Sequence, residues 1–481
     1  MPSAPVDLSA IIKAYDVRGL VGTQLDEGVA EAIGAAAARV LEVGPDGAGG
    51  PLVVVGHDMR PSSPSLVEAF ARGVTGAGGE VLVVGLCSTD GLYYASGALD
   101  APGAMFTASH NPASYNGIKL CRAGAKPVGQ DTGLAQVREL AQQHLDGAVP
   151  LPRDGGGGVT RRDLLADYAR HLRSLVDLRS SRPLRVVVDA GNGMAGLTAP
   201  AVLGTAAGLE ALPLEVLPLY FELDGTFPNH EANPLEPENL RDLQAAVRAA
   251  GADLGLAFDG DADRCFVVDE RGEPVSPSAV TALVALRALA APRSGDDGAV
   301  VLHNLITSRA VPELVAAAGG TPVRTRVGHS YIKAEMARTG AVFGGEHSAH
   351  YYFADFWGAD TGMLAALHVL AALGEQDGPL SALVAAYDPY AASGEVNSTV
   401  ADAAATTEAV RTAWAARGAQ EDHLDGLTLT SPPGEAPWWW FNLRPSNTEP
   451  LLRLNVEGAD DATMRRVRDE VLAQVRAGSP A

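Results

Sequence analysis

Residues Leu254–Val268 read LGLAFDGDADRCFVV, and this stretch decides how the chain is expected to fold. Two apolar runs, Leu254–Phe258 and Cys265–Val268, flank a short acidic loop. Short apolar runs bounded by turn residues are typical of buried strands, so the loop is predicted to join two strands. Its three carboxylates alternate with small residues: Asp259, Asp261 and Asp263. Small spacers let all three face one centre, which predicts a site for Mg²⁺ or Ca²⁺.

The acidic loop has two alternative interpretations. A solvated turn would leave three like charges close together with no cation to offset their repulsion. An EF-hand would place Asp259 at position one and Glu270 at position twelve, but position six requires glycine and is Arg264. The flanking residues also lack helical periodicity. The sequence therefore favours a metal site between two strands.

Apolar runs and helical stretches alternate on both sides of this loop, which predicts βαβ units. Within the same unit the predicted strands and helix are Leu184–Val188, Pro213–Leu219 and Pro237–Ala250. In the N-terminal part the predicted strands are Leu52–Val55, Val81–Val84 and Gly103–Phe106, and the predicted helix is Ser63–Thr75. A third unit holds the predicted strands Val300–His303, Pro322–Arg326 and Ala341–Phe343.

The C-terminal part differs, because strands follow one another before a single helix. The predicted elements are Leu427–Thr430, Trp438–Leu443, Leu451–Val456 and the helix Asp460–Val475. This is an α+β pattern. The glycine-rich segment Asp154–Thr160 is the predicted linker after the first unit. We therefore expect four domains, three α/β and one α+β, at residues 1–155, 156–271, 272–385 and 386–481.

Composition limits the possible partners of the chain. The 481 residues carry a formal net charge of −22, which disfavours nucleic acid and anionic membranes. A phosphate ester would also be repelled, so a site for one must concentrate its own cations. Three cysteines lack metal-ligand spacing and make a poor disulfide set. No leader and no apolar run of ~18 residues is found, so we expect a cytoplasmic protein.

Three further polar motifs could carry chemistry. Thr107–Pro112 (TASHNP) follows a predicted strand, so Ser109 would stand where α/β folds bind ligands, with His110 beside it to move protons. Gly344–His350 (GGEHSAH) could hydrogen-bond sugar hydroxyls. Its two histidines could also suggest a zinc site, but no third ligand stands at a suitable spacing. Arg444–Pro450 (RPSNTEP) offers an arginine fork and further donors to a phosphate. Each could alternatively be an ordinary polar loop.

These motifs in this order resemble those of the α-D-phosphohexomutase family, the phosphomannomutases/phosphoglucomutases. The resemblance spans essentially the whole chain and rests on Lys13–Gly19, Thr107–Pro112, Asn116–Lys119, Asp259–Arg264, Gly345–His350 and Arg444–Pro450. It implies three similar α/β domains with mixed sheets and a C-terminal α+β domain, arranged around a central cleft.

The resemblance also implies an activity, the interconversion of hexose 6-phosphate and hexose 1-phosphate, with mannose, glucose or both as the sugar. A phosphorylated Ser109 and the three aspartates would hold Mg²⁺. A bisphosphorylated sugar would be the intermediate, with hexose 1,6-bisphosphate as activator. The protein would be a monomer or homodimer. The alternatives are a phosphoglucosamine mutase, which typically carries Gln where His347 stands, a metal-dependent phosphatase, and a non-catalytic phosphosugar-binding protein.

Site residues follow from the same resemblance. Those expected to be catalytic are Ser109, His110, Lys119, Arg264 and His329, with Lys119 or His329 as general base. Those expected to bind the substrate are Tyr15, Arg18, Glu346, Ser348, His350, Arg444, Ser446, Asn447 and Thr448. The chain departs from the common family pattern at His57, at Asp90, where proline is frequent, and at His347 and Ala349.

Overall fold

The structure is a computed structural model that describes residues 6–13, 15–44, 47, 50–291, 298–445 and 451–477. The chain forms two compact units. The first comprises Met1–Val275, Met336–Phe343 and Ser348–Ser381, and the second comprises Ser276–Glu335, Gly344–His347 and Ala382–Ala481. The domain boundaries predicted from the sequence stay predictions.

The first sheet is mixed, as the family resemblance implies. Its elements are β1 (Val17–Leu20), α1 (Glu27–Val40), β2 (Leu52–His57), α2 (Ser63–Gly76), β3 (Glu80–Leu86), α3 (Thr89–Leu99), β4 (Gly103–Phe106), β5 (Tyr115–Arg122), β6 (Lys126–Pro127), α4 (Leu134–Leu145) and β7 (Val159–Arg161). The strand order is β1-β5-β4-β2-β3-β7, with β6 paired to β5. Strands β4, β2, β3 and β7 run parallel, and β5 is antiparallel to β1, β4 and β6.

Strands β2 and β4 position the first candidate loop. Both are apolar and almost entirely buried, which explains why their runs could be recognised in the sequence. Because they are parallel neighbours, the loops after their carboxyl ends leave from the same edge of the sheet. The amide of Asp58 donates to the carbonyl of Phe106 at 2.9 Å and ties the two loops together where they begin.

Helices α1 and α2 pack closely enough that two glycines are required between them. A Cβ on Gly34 would lie 2.2 Å from the carbonyl oxygen of Phe70, and a Cβ on Gly73 would lie 2.1 Å from that of Glu31. In both cases the obstacle is main chain, which cannot move without separating the helices. The two glycines therefore set the distance at which α1 and α2 cover the first sheet.

Substituting Gly34→Val should destabilise the protein by about 1–3 kcal/mol, because overpacking a buried contact forces backbone shifts. Urea unfolding of the two proteins measures the difference. The control is Gly28→Ala in the first turn of α1, where the new Cβ meets a single side-chain atom, Asp26 Oδ1 at 3.3 Å, and no main chain. That variant should unfold at or slightly above the wild-type midpoint. An unchanged midpoint for Gly34→Val would contradict the close packing of the two helices.

The second sheet contains the acidic loop. Its elements are α5 (Leu165–Leu175), β8 (Leu184–Asp189), α6 (Ala195–Val202), β9 (Leu214–Leu219), α7 (Arg241–Ala250), β10 (Leu254–Phe258), β11 (Cys265–Asp269) and β12 (Pro274–Val275). The order is β12-β11-β10-β8-β9, with β10, β8 and β9 parallel. The predicted helix from Pro237 begins with a 3-10 turn, Pro237–Leu240, before α7. Strands β10 and β11 form an antiparallel hairpin whose connection is Asp259–Arg264.

The third group of elements continues the alternation of helix and strand. They are α8 (Pro277–Ala290), β13 (Val300–Asn304), α9 (Ala310–Ala317), β14 (Thr321–Thr325), α10 (His329–Thr339), β15 (Phe343–Gly345), β16 (Tyr351–Phe353), β17 (Ala359–Asp360), α11 (Gly362–Gly374) and α12 (Leu380–Val384). Strand β13 is parallel to β14, and β16 is antiparallel to β17. The strand predicted at Ala341–Phe343 lies instead at Phe343–Gly345. Its last two residues are glycines, which carry no apolar signal, so the apolar run placed the strand too early in the sequence.

The fourth sheet is antiparallel throughout and confirms the α+β pattern. Its elements are β18 (Ala391–Thr399), α13 (Ala403–Ala415), β19 (Gln420–Asp422), β20 (Leu427–Thr430), β21 (Trp439–Pro445), β22 (Leu451–Gly458) and α14 (Asp461–Ala477). The order is β18-β22-β21-β20-β19. The buried ring of Trp414 from α13 packs on Trp439 and Phe441 of the sheet. The arginine loop joins β21 to β22, and its residues 446–450 lie outside the described residues.

The predicted linker Asp154–Thr160 differs from the structure at its end. Val159–Arg161 form β7, which pairs with β3 at the edge of the first sheet. All three residues of β7 are exposed, and its single apolar residue, Val159, forms no apolar run, so hydrophobic patterning does not mark this strand. None of the helices described combines the length and apolar character that a transmembrane helix requires.

Candidate active site

The serine loop holds Ser109 in an uncommon backbone conformation. Its φ is +50°, in the left-handed region that side chains other than glycine rarely adopt. The Ser109 amide donates to the Thr107 hydroxyl at 2.9 Å, and the residue is 5% exposed. Strained residues persist only where their surroundings enforce them, and they cluster at functional sites. The conformation therefore needs an external support.

Arg60, from the loop after β2, supplies that support. It is 1% exposed, and its Nε donates to the Asp58 carboxylate at 3.1 Å. The two terminal nitrogens donate to four carbonyl oxygens of the serine loop at 2.7–3.0 Å, those of Ser109, Asn111, Pro112 and Tyr115. All five guanidinium N–H groups are thus used. Arg60 fixes the main chain that carries Ser109, a role that the sequence motifs did not indicate.

Arg60→Lys should lower kcat by about 10–100-fold with a smaller change in KM, because misplacing a reacting group by about 1 Å can cost that much. An ammonium has three donors and cannot satisfy four carbonyls in the planar arrangement of a guanidinium. Steady-state kinetics on a hexose 1-phosphate measures the effect. The matched control is Arg72→Lys on α2, whose guanidinium is 53% exposed and pairs with Glu31. Equal kinetics for both variants would contradict a positioning role for Arg60.

The acidic loop brings its three carboxylates to one point. Ligand oxygens of Asp259, Asp261 and Asp263 lie within 4.8 Å of one another, and all three residues are at most 1% exposed. The small spacers are required by the structure. A Cβ on Gly260 would lie 2.4 Å from the Ser109 carbonyl oxygen, and Ala262 has a φ of +60°. The loop therefore approaches the serine main chain as closely as glycine permits.

The donor set fits a divalent cation. Among the described residues, Asp261 Oδ1 and Asp263 Oδ1 are buried and accept no hydrogen bond. A buried carboxylate oxygen without a partner is costly, and a cation among three such groups removes that cost. Carboxylate oxygens at this density are the ligands that Mg²⁺ prefers. Asp259, Asp261 and Asp263 are therefore able to hold Mg²⁺.

Ser109 contacts this acidic cluster directly. Its hydroxyl donates to Asp259 Oδ2 at 2.8 Å and lies 3.2 Å from His110 Nδ1. Burial raises the pKa of Asp259 to about 7, against the opposing effect of Arg264. The serine oxygen thus lies beside the oxygens that would hold a cation and beside a carboxylate able to accept its proton.

Three cations, Lys119, Arg264 and Arg18, concentrate positive charge at the cluster, as a phosphate site on an acidic chain would require. Lys119 Nζ lies 2.7 Å from both Asp261 Oδ2 and Asp263 Oδ2. Burial would lower the pKa of Lys119, but the two aspartates raise it well above its usual value. Burial would likewise raise the pKa of Asp261, yet the Lys119 ammonium brings it well below its usual value. Both groups are therefore charged at neutral pH.

Arg264 links the acidic loop to His110. Its Nε donates to Asp259 Oδ2 at 3.0 Å, and a terminal nitrogen lies 2.6 Å from His110 Nδ1. Burial and then the charges of Arg264 and Arg18 lower the pKa of His110 well below its usual value. A neutral imidazole then accepts the arginine hydrogen bond. Arg18 itself donates to Asn111 Oδ1 and Asp16 Oδ2, both at 2.5 Å.

Two contacts around the loop were not foreseen from the sequence. The amide of Thr89 donates to the Asp261 carbonyl at 3.0 Å, and its hydroxyl donates to Asp261 Oδ2 at 2.6 Å. His350 Nδ1 lies 2.9 Å from Asp360 Oδ2 and 3.9 Å from Asp263 Oδ1. His350 is thereby brought to the acidic cluster, although the resemblance gave it a role in binding the sugar.

The remaining predicted residues are distributed over both units. In the first unit, Tyr15 and Ser348 are both half-buried. In the second unit, the buried Glu346 accepts from the Gly328 amide at 3.0 Å and from Asn304 Nδ2 at 3.3 Å. Arg444 donates to Glu395 Oε2 at 2.9 Å. His329 begins α10, but its side chain is outside the description, as are Ser446, Asn447 and Thr448.

Comparison with known proteins adds an independent line of evidence. Family models of phosphoglucomutase/phosphomannomutase match four consecutive segments: α/β/α domain I at residues 9–145, domain II at 166–272, domain III at 276–390 and the C-terminal domain at 395–474. Together they cover most of the chain in the order that the motifs predict. The predicted family and the predicted class of enzyme, an isomerase of phosphorylated sugars, are thereby confirmed.

Individual relatives agree over the full length. A protein named phosphohexose mutases from Xanthomonas campestris is 39% identical over 97% of this chain and 99% of its own. A phosphomannomutase from Escherichia coli is 39% identical over 96% and 98%. The crystal structure of a phosphoglucomutase/phosphomannomutase family protein from Burkholderia thailandensis superposes with a TM-score of 0.83 at 32% identity, covering 98% of both chains. The chain belongs to the phosphoglucomutase/phosphomannomutase family of hexose phosphate mutases.

Proposed function

We propose that this mutase interconverts hexose 6-phosphate and hexose 1-phosphate through a phosphorylated Ser109 and a bisphosphorylated sugar. The observation that carries the proposal is the 2.8 Å hydrogen bond from the Ser109 hydroxyl to Asp259, one of three buried carboxylates gathered at one point. A serine in that position can be both the donor and the acceptor of a phosphoryl group. One serine then serves both half-reactions.

Asp259, Asp261 and Asp263, with Ser109, would hold Mg²⁺. When bound, the cation polarises a phosphoryl group and stabilises charge that develops on an alkoxide. The chain's own cations act in the same direction. The Lys119 side chain, 12% exposed, and the buried Arg264 lie against the aspartates, where water screens their charges weakly, so these charges add to the stabilisation of phosphate oxygens.

The hydrogen bonds made by Lys119 and Asp259 limit which residues can act as a general base. Lys119 is held between two aspartates that raise its pKa, so it is better suited to stabilise charge than to accept a proton. Asp259 accepts from the Ser109 hydroxyl, so it can take the serine proton when Ser109 attacks the second phosphate of the bisphosphorylated sugar, and it can return that proton when the phosphoryl group leaves Ser109. His329 stays a candidate for the general base that accepts the proton of the substrate hydroxyl.

The rest of the substrate would be held by residues with complementary chemistry. Arg444 with Ser446, Asn447 and Thr448 would anchor the phosphate that does not react, in both orientations of the sugar. Glu346 and Ser348 would bind sugar hydroxyls, for which a buried carboxylate gives strong discrimination.

Mannose is the proposed sugar, with glucose accepted as its C2 epimer. The relative from Escherichia coli that carries the name phosphomannomutase matches over nearly its whole length, which supports mannose. His347 in the sugar loop, in place of the glutamine typical of phosphoglucosamine mutases, argues against glucosamine as the sugar. A hexose 1,6-bisphosphate would be the activator that phosphorylates Ser109.

The test offers mannose 1-phosphate, glucose 1-phosphate and glucosamine 1-phosphate in parallel, with Mg²⁺ and a trace of the hexose 1,6-bisphosphate. Turnover of the first two sugars, lost with chelator, is the expected result. Turnover of glucosamine 1-phosphate alone would keep the chemistry and replace the sugar. No turnover, together with no phosphorylated Ser109 by mass spectrometry, would overturn the proposed function.

A further inference from the structure

Asp90 is a buried carboxylate that joins three separate parts of the first unit. It lies in the first turn of α3, is 0% exposed and has no place among the predicted catalytic or binding residues. Its Oδ2 accepts from the Tyr168 hydroxyl of α5 at 2.7 Å and from the Thr361 hydroxyl before α11 at 2.6 Å. Its Oδ1 accepts from the Ser88 hydroxyl.

The direction of these hydrogen bonds requires an acceptor at position 90. The Ser88 oxygen already accepts from the Gly91 amide at 3.2 Å, and the Thr361 oxygen accepts from the Leu364 amide at 3.1 Å. Because an ionised carboxylate can only accept, the hydroxyls of Ser88, Tyr168 and Thr361 each donate their hydrogen to Asp90. An ionised carboxylate offers only lone pairs and satisfies all three donors. An amide of the same shape would present N–H groups to one side of the cluster and lose that match.

Both ends of this network reach the acidic loop. On one side, Thr89 lies between Ser88 and Asp90 in sequence and makes two hydrogen bonds to Asp261, from its amide to the carbonyl and from its hydroxyl to Oδ2. On the other side, Thr361 follows Asp360, which holds His350 beside Asp263. Asp90 itself is bonded to Ser88, which precedes Thr89, and to Thr361, which follows the Asp360 that pairs with His350.

We propose that Asp90 is a positioning residue for the cation site, holding Asp261 and Asp263 at the separation that a divalent ion requires. The inference rests on the proposed function, because it assumes that the acidic loop binds a cation. Groups behind the direct ligands of a metal orient those ligands, and their loss typically weakens binding about 10–100-fold. Asp90 acts one residue further away, so the lower end of that range is expected.

The test measures binding of Mn²⁺ to the full-length protein by calorimetry, for wild type and for Asp90→Asn. The dissociation constant should rise about 10-fold in the variant, with the stoichiometry unchanged. The matched control is Glu457→Gln. Glu457 is a buried carboxylate, 2% exposed, that accepts from Trp440 Nε1 at 2.7 Å in the second unit. The Glu457→Gln variant should bind Mn²⁺ as the wild type does, even though the substitution removes a comparable buried acceptor.

A second pair of variants keeps the inference testable if Asp90→Asn folds poorly. Thr361→Val removes one hydroxyl of the network, whereas Thr361→Ser retains it and should restore wild-type binding. Equal dissociation constants for wild type, Thr361→Val and any folded Asp90 variant would overturn the positioning role. Failure of the wild type itself to bind Mn²⁺ would instead overturn the cation site and, with it, the proposed function.

Discussion

Replacing Ser109 with alanine should reduce turnover by at least about 1,000-fold, because removal of a covalent nucleophile leaves only binding and electrostatic contributions. The Ser109 hydroxyl lies 2.8 Å from Asp259 Oδ2, beside the acidic cluster, whereas Nδ1 of the neighbouring His110 lies 2.6 Å from an Arg264 nitrogen. The hydroxyl donates to Asp259 Oδ2, which keeps its hydrogen bond from Arg264 Nε when the serine oxygen is removed, so the free energy of unfolding should barely change. Mutase kinetics and thermal unfolding measure the two quantities.

The matched control for Ser109→Ala is another buried serine with a structural role. Ser96 is 0% exposed, and its hydroxyl donates to the Ala101 carbonyl at 2.7 Å. Ser96→Ala should therefore destabilise the protein by about 1–3 kcal/mol, since it leaves a buried acceptor unsatisfied, while activity persists. Intact-mass spectra add a direct readout, because one phosphoryl group should be present on wild type and absent from Ser109→Ala. Activity near wild type in Ser109→Ala would sink the phosphoserine mechanism.

The fold followed from the sequence where hydrophobic patterning is strong. Strand β10 coincides with the predicted run Leu254–Phe258, because a strand buried on both faces is apolar throughout. Strand β7 was missed for the opposite reason, since its three residues are exposed and form no apolar run. Strand β18 was also missed, because most of its residues are at least partly exposed.

The acidic loop was predictable because its residues are adjacent in sequence, and spacing alone brings three carboxylates together. The groups that support the loop are not adjacent to what they support. Arg60 acts on Ser109 across 49 positions, and Asp90 meets Thr361 across 271 positions. No periodicity or local motif marks such pairs, because the topology of the sheets creates them. The sequence therefore indicated the reacting groups, and the structure adds the residues that hold them in place.

Replacing Asp261 with asparagine should abolish most cation binding and lower kcat/KM by at least about 1,000-fold, a loss comparable to that of a principal electrostatic stabiliser. Asp261 contributes an oxygen to the cluster and also holds Lys119 and Thr89. The neutral amide weakens the field at the cation and frees the Lys119 ammonium to pair with Asp263 alone. The wild-type protein in chelator should show a similar loss of activity.

A stability measurement separates cation binding from catalysis in this prediction. Mg²⁺ at 100 times its dissociation constant should stabilise the wild type by about 2.7 kcal/mol, by mass action, and should leave Asp261→Asn almost unchanged. The matched control is Asp269→Asn in the same hairpin. Asp269 is 2% exposed but pairs with Arg271 at the far end of β11, so this variant should keep its response to Mg²⁺.

Because burial raises the pKa of Asp259 to about 7, cation binding must displace a proton below that pH, and the Mg²⁺-dependent stabilisation should weaken as the pH falls from 8 to 6. An undiminished response of Asp261→Asn to Mg²⁺ would mean that the cation binds elsewhere, and the three aspartates would then serve only to hold Lys119 and Arg264 beside the serine.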